Sequence, residues 1–278
     1  MDGDFRTSTD GVLSDGIRAR LNYLQPGGEK PFAYQYDPPP GRPQRSGRYA
    51  EHQTLIGNGR KLARTSLDVE GFALARHATA VSDLYDGAAV KSLYYPEAER
   101  LVQEATGARR VAAFDHNLRN AAKAKQGVPG FKEPVPRVHN DYTTQSAPQR
   151  VRDLLGAEAE GLIAKRFAFV NLWRPIAEPV EDWALAVCDA RSIAPEDLVA
   201  SDLIYPDRVG ETYAVAYNPL HRWFYFPAMR RDEALLIKCY DSDSARARFT
   251  AHTAFHDPAA PPDAAPRESI EVRTLAFF

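Results

Sequence analysis

The chain reads as a mainly β protein, a sandwich or barrel with helices packed outside it. Short runs rich in aromatic and β-branched residues predict the strands: ARRVAAF (108–114), RFAFVNLW (166–173), TYAVAY (212–217), RWFYFP (222–227), ALLIKCY (234–240) and SIEVRTLAFF (269–278). Turn residues such as Asn218-Pro219, Pro227 and Asp241-Ser242 separate these runs. Helical signals are sparse and lie outside them.

In chain order, residues 1–15 are polar and acidic and read as a loose segment. YDPPPGRPQRSGR (36–48) is too rich in Pro, Gly and Arg for a regular element and reads as an extended arm. A helix opens at Tyr95-Pro96-Glu97 and closes at Thr106-Gly107, with Pro and an acid in its first turn and Gly past its end. Asp115-His116 is expected in the turn after the strand at 108–114. A second helix is expected from about Pro148 to Lys165, with Val151, Leu154, Leu155 and Leu162 at helical spacing and Ser146 as its cap. DPAAPPDAAP (257–266) is a further loop.

Composition removes several function classes. The 278 residues are 44% hydrophobic and 26% charged, ordinary globular usage with sequence enough for a large core. Lys and Arg total 35 against 37 Asp and Glu, so no basic excess favours nucleic acid. The sequence has no long apolar run for a membrane span, and its N-terminus lacks the basic and apolar regions of a secretory signal. Two cysteines, Cys188 and Cys239, make neither a zinc cluster nor a disulfide framework, and a reduced cytoplasmic setting is expected. Both read as buried small hydrophobes. Trp173, Trp183 and Trp223 are assigned to the core. Without a Gly-rich phosphate loop, nucleotide-dependent chemistry is not expected.

The candidate chemistry starts at VPRVHNDYT. Residues two apart on a strand share a face, so His139 and Asp141 can present an imidazole and a carboxylate to one point. A second histidine from a distant strand would complete a 2-His-1-carboxylate face for Fe(II) with positions open for co-substrate and oxygen. A surface turn histidine beside a capping Asp fits the same tripeptide. His252, in FTAHTAFHDP, follows a strand and is preferred to His256, which enters the loop, and to His221, which reads as a strand-edge histidine. On the final strand Arg267, Ser269, Glu271 and Arg273 alternate with Ile270 and Val272. That polar face is either the wet face of an edge strand or an interior face whose guanidinium and hydroxyl clamp a carboxylate.

These residues, HxD, a distal His and Arg-x-Ser, resemble the pattern of Fe(II)/2-oxoglutarate-dependent oxygenases. The blocks HNDYT (139–143), NLWRPI (171–176), CDARSI (188–193), HRWFYFP (221–227), KCYDSD (238–243), HTAF (252–255) and PRESIEVR (266–273) resemble the asaB/CmcJ-type hydroxylase/desaturase family. The resemblance spans residues 20 to 278. It implies a double-stranded β-helix (jelly roll, cupin-like) with flanking helices, and a single oxygenase domain over 1–278. It also implies His139, Asp141 and His252 as ligands of Fe(II), with Arg267 and Ser269 holding the distal carboxylate of 2-oxoglutarate and O2 as the oxidant. The loop 257–266 lengthens the spacing from His252 to Arg267, which keeps Arg273 as a competitor for the co-substrate. Tyr142 and Thr143 follow the motif and are candidate substrate contacts. Arg174 is read either as a pocket arginine or as a charge packed on Trp173.

The implied reaction is hydroxylation or desaturation of a small-molecule natural product in secondary metabolism. A carboxylate ligand at Asp141 leaves no position for halide and disfavours halogenation. The pocket is expected to be aromatic and apolar with a few polar anchors. Three other readings stay open: a metal-dependent barrel that does not use 2-oxoglutarate, a non-catalytic subunit of the same fold, and a member needing a partner protein, as in cephalosporin 7α-methoxylation. A homodimer is equally compatible.

Overall fold

A computed structural model describes residues 16–278, so the loose segment expected at 1–15 lies outside the described residues. Two curled sheets face each other as a double-stranded β-helix. The larger has nine described strands in the order β1-β3-β12-β9-β14-β7-β11-β10-β2, and the smaller six, β4-β13-β8-β15-β5-β6. In the larger, β1 spans Ile17–Leu24, β2 Phe32–Tyr34, β3 Tyr49–Asn58, β7 His139–Asn140, β9 Leu185–Cys188, β10 Leu198–Ile204, β11 Val209–Val215, β12 Trp223–Tyr225 and β14 His252–Ala254. In the smaller, β4 spans Phe72–Arg76, β5 Arg110–Asn120, β6 Phe131–Lys132, β8 Phe167–Pro175, β13 Glu233–Asp241 and β15 Glu268–Phe277.

Alternation sorts each central strand of the smaller sheet into two cores. On β8, Phe167, Phe169 and Trp173 point between the sheets, while Val170 and Leu172 point outward. On β13, Leu235, Ile237 and Cys239 point in and Ala234 and Leu236 out. Both strands are buried along their whole length because the outer face is also covered. Its cover is the helix Tyr95–Thr106 with the turns before it, through Val90, Tyr94, Ala98, Leu101 and Val102. That helix has the expected bounds, with Glu97 in its first turn and Gly107 left-handed at φ 70. The two cysteines are buried, and burial pushes the Cys188 thiol up to about 12.

Other sequence expectations change. The strand expected at 108–114 runs on to Asn120, so Asp115 and His116 lie within β5 rather than in a turn. Pairing with β15 carries the chain through. The second helix is Ser146–Leu155; it breaks at Gly156 (φ 53), and a shorter helix, Ala159–Ile163, follows. Its start is held not by Ser146 alone but by Thr143, whose hydroxyl accepts from the Gln145 and Ser146 amides while the Ser146 hydroxyl accepts from the Thr143 amide. Trp173 and Trp223 are buried, but Trp183 is 36% exposed with a left-handed φ of 50. Among the described residues no helix is long and apolar enough to cross a membrane.

The outer core depends on shape-matched aliphatics such as the fully buried Ile270. Ile270→Ala is expected to cost about 2–5 kcal/mol in urea unfolding, by lost burial plus a cavity, while metal binding survives because the side chain faces away from the site.

Candidate active site

The short strand β7 is the hub. It pairs with β11 on one side and β14 on the other, and the second pairing sets His139 directly opposite His252. The chain then leaves the sheet and turns, carrying Asp141 back beside them. Asn140, pointing the other way, pins this turn: its amide donates to the carbonyls of Tyr142 (2.7 Å) and Cys239 (2.8 Å). Cys239 sits where the β13 register slips, so its carbonyl is free to accept.

The result is a three-ligand cluster. One donor atom each from His139, Asp141 and His252 lies within 4.8 Å of the others. Asp141 Oδ1 is 3.6 Å from His139 Nε2 and 4.0 Å from His252 Nε2. Each imidazole has its other nitrogen on a backbone carbonyl: His139 Nδ1 on Arg137 at 2.8 Å, His252 Nδ1 on Thr250 at 3.0 Å. A carbonyl only accepts, so Nδ1 carries the hydrogen and both Nε2 lone pairs converge on the cluster. Burial, then the neighbouring His252, pulls His139 down to about 3, so its imidazole is neutral at pH 7. Burial alone would raise the Asp141 carboxyl; Arg273, the two histidines and Asn171 outweigh it and hold the group well below the usual carboxylate range.

That support comes from the opposite sheet. Arg273 of β15 places Nε 3.4 Å from Asp141 Oδ2, and Asn171 of β8 donates Nδ2 to the same oxygen at 2.8 Å. Two imidazoles with Nε2 turned to one point and one ionised carboxylate, held from behind, are a donor set suited to Fe(II).

Two openings meet at this cluster. A narrow cavity on the histidine side is lined by Arg119, Trp173, Leu185, Arg267 and Glu271 with both histidines. Strand β15 lies between β8 and β5, so its polar face is interior, not a wet edge. Arg267 is buried there, stacked over Trp173 at 5.5 Å, with Nη1 donating to the Trp183 carbonyl. Burial, then the nearby Arg119 guanidinium, pulls Arg267 down to about 9, with Glu271 opposing; it remains a cation at neutral pH. Arg267 Nε, Ser269 Oγ and Trp173 Nε1 are buried without a partner, polar groups on the interior face that a carboxylate would satisfy. The residues present therefore fit both the metal and a dicarboxylate co-substrate.

On the aspartate side a cleft of about 490 Å³ opens to solvent, with Asp141, Tyr142 and Arg273 at its base. Arg273 belongs here: it pairs with Asp141 and, at 3.2 Å, with Asp115. A register slip between Arg273 and Thr274 leaves Phe114 as the extra residue of β5, so Phe114 and Asp115 both reach the cleft. Tyr142 stacks on Phe169 at 4.0 Å between ring centres.

Several expected site residues lie elsewhere. Arg174 is fully buried on the outer face of β8, its donors taken by the Tyr94 hydroxyl (2.7 Å), the His77 carbonyl (2.7 Å) and ring, and the Arg231 carbonyl. One residue from Trp173, it faces away from the pocket because strand neighbours point oppositely. Thr143 is occupied as the helix cap and by donating to Glu211, so it is not free for a substrate. The two histidines passed over as ligands lie apart from the cluster: His221 bridges Tyr23 (3.1 Å) and Asp197 (3.0 Å), and His256 pairs with Asp182 at 2.8 Å at the surface. The cleft is also not the mainly apolar pocket expected. The polar face of the Ser146–Leu155 helix and the β10–β11 hairpin wall it with charged side chains.

Asn171 and Arg119 were not singled out from the sequence, and Glu271 was read only as part of the polar face of the last strand. Asn171 stands in the NLWRPI block, and alternation from Trp173 places it on the interior face. His252→Ala and Asp141→Ala should abolish anaerobic Fe(II) binding measured by calorimetry. Asn171→Ala should weaken it by about 10- to 100-fold with an unchanged fold by circular dichroism.

A family model described as "Oxidoreductase/YMDC permease-like domain" matches residues 21–277. The Fe(II)/2-oxoglutarate-dependent dioxygenase nvfI of Aspergillus novofumigatus is 34% identical over 270 residues, 93% of this chain and 96% of that protein. The hydroxylase/desaturase asaB of Aspergillus flavus is 43% identical over 141 residues, 45% of this chain and 62% of its own. A solved structure of the iron and alpha-ketoglutarate-dependent endoperoxidase NvfI has a TM-score of 0.85 to this fold at 31% identity, covering 95% of this chain and 98% of that one. With its jelly roll and its histidine–aspartate–histidine cluster, the chain belongs to the Fe(II)/2-oxoglutarate-dependent dioxygenases, in the hydroxylase/desaturase family of which asaB is a member.

Proposed function

We propose that His139, Asp141 and His252 hold the Fe(II) of this dioxygenase, that Arg267 with Ser269 receives the distal carboxylate of 2-oxoglutarate, and that the cleft beside Asp141 admits a small-molecule natural product for hydroxylation or desaturation. One observation carries the reading: the ligand cluster lies between a cavity with a buried, partly unpartnered guanidinium and an open cleft. Bound Fe(II), with 2-oxoglutarate and O2, supplies oxidative decarboxylation to succinate and CO2 and the oxidation of a substrate C–H bond.

The chain's own residues supply orientation and exclusion of water. The carbonyls of Arg137 and Thr250 fix both imidazole tautomers, and Arg273 and Asn171 keep Asp141 ionised. Arg267 and Arg119 outnumber the single carboxylate of Glu271, which favours a dianionic co-substrate on that side. Trp173 and Leu185 wall the same cavity with apolar surface. Arg273, with Asp141, Asp115 and, at 3.8 Å, Glu271 around it, is poorly placed to take a further carboxylate. The names of the relatives favour the oxygenase over a metal barrel that does not use 2-oxoglutarate.

Purified protein given Fe(II), ascorbate, 2-oxoglutarate and O2 should release succinate, and His139→Ala should not. Arg267→Ala should raise the KM for 2-oxoglutarate by about 10- to 100-fold, the loss of a charge-assisted hydrogen bond. If Arg273→Ala does this and Arg267→Ala does not, the arginine assignment is wrong.

A further inference from the structure

The charged side chains of the cleft are unevenly paired. Among its acids, Asp115 and Asp141 share Arg273, while Asp202 and Glu211 share Lys30, whose ammonium is 2.6 Å from Glu211. Asp153 accepts from the Gln149 amide at 2.8 Å. Among the cations, Lys132 donates to a neutral partner, the Asn117 amide oxygen at 3.0 Å, and makes no ion pair among the described residues. Arg150 and Arg208 make no ion pair among the described residues. Each is instead laid on a ring, Arg150 over Phe114 at 5.5 Å and Arg208 over Tyr205 at 3.9 Å. With Lys30 the five acids and five cations of the cleft balance in number, but four of the acids gather on Arg273 and Lys30, which leaves Lys132, Arg150 and Arg208 without an acid of their own among the described residues.

The two arginines come from different walls, Arg150 from the Ser146–Leu155 helix and Arg208 from the turn between β10 and β11. Stacking on a ring costs a guanidinium none of its in-plane donors, so both keep edges free for an anion. Phe114, Tyr142 and Leu203 give the same cleft apolar surface.

We propose that this cleft selects substrates bearing a carboxylate, received by Arg150 and Arg208, with the apolar body of the molecule lying on Phe114 and Tyr142 towards Asp141. The proposal rests on the reading that the cleft beside Asp141 is the substrate's entrance.

The test measures binding to the Fe(II)-loaded, 2-oxoglutarate-saturated enzyme under anaerobic conditions, by calorimetry. The probes are naphthoate, cinnamate and dehydroabietate, each against its own methyl ester. The acids should bind about 10-fold or more tightly than their esters. The preference should fall to about twofold or less when Arg150→Gln and Arg208→Gln are combined, because the neutral amide keeps bulk but not charge. It should persist in Arg152→Gln, a change on the same helix at an arginine already paired with Glu160 at 2.7 Å. Acids that bind no better than their esters, non-binding pairs included, overturn the proposal, and so does a preference that survives the double replacement. 2-Oxoglutarate affinity on the same samples reads the co-substrate site separately, so its failure is told apart from failure of the cleft.

Discussion

The ion pair between Asp141 and Arg273 joins the two sheets at the point where the chemistry is set. The three candidate ligands come from the larger sheet and the turn leaving it, whereas Arg273 and Asn171 come from the smaller. A carboxylate desolvated between two imidazoles would otherwise take up a proton and stop being a metal ligand. Arg273 prevents this, and its own burial is offset by Asp141, Glu271 and Asp115 around it. Loss of Arg273 strands the Asp141 charge in the interior, which is far costlier than the pair is stabilising. The packing of the two sheets and the state of the candidate metal centre are therefore one constraint.

From that constraint follows the division of labour between two arginines on one strand. Arg267 and Arg273 are six residues apart on or beside β15 and both face inward. Arg273 lies over the aspartate and is neutralised by it. Arg267 lies beyond the histidines, where the left-handed backbone at Trp183 accompanies a carbonyl that takes one of its donors, and another donor stays unpaired. The cluster thus has two chemically different sides: one suited to a small dianion, the other open, wider and ringed by charge.

The strand and helix pattern was readable because it is local. Aromatic and β-branched runs marked β5, β8, β11, β12, β13 and β15, and Pro96 with Gly107 bracketed the first helix. The short strands β7 and β14 carry the two candidate histidine ligands but are too brief to leave a periodic signature, and they form by pairing with β11, with β9 and with each other. The second helix looked continuous because the spacing of Leu154, Leu155 and Leu162 survives the break at Gly156. Thr143 and Arg174 looked functional because they adjoin functional blocks; a cap and an outward strand face claimed them instead.

By itself the sequence determined which residue types are available for the chemistry: a histidine two before an aspartate, a distant histidine, and an arginine and serine alternating on a last strand. It also determined the class of fold, since alternation and turn chemistry act over a few residues. Tertiary structure decided which arginine answers to the aspartate, that Asn171 is part of the centre, and that the cleft is charged rather than apolar. Those outcomes depend on contacts between strands far apart in the chain, on which side chains find a partner, and on how much water is left to them.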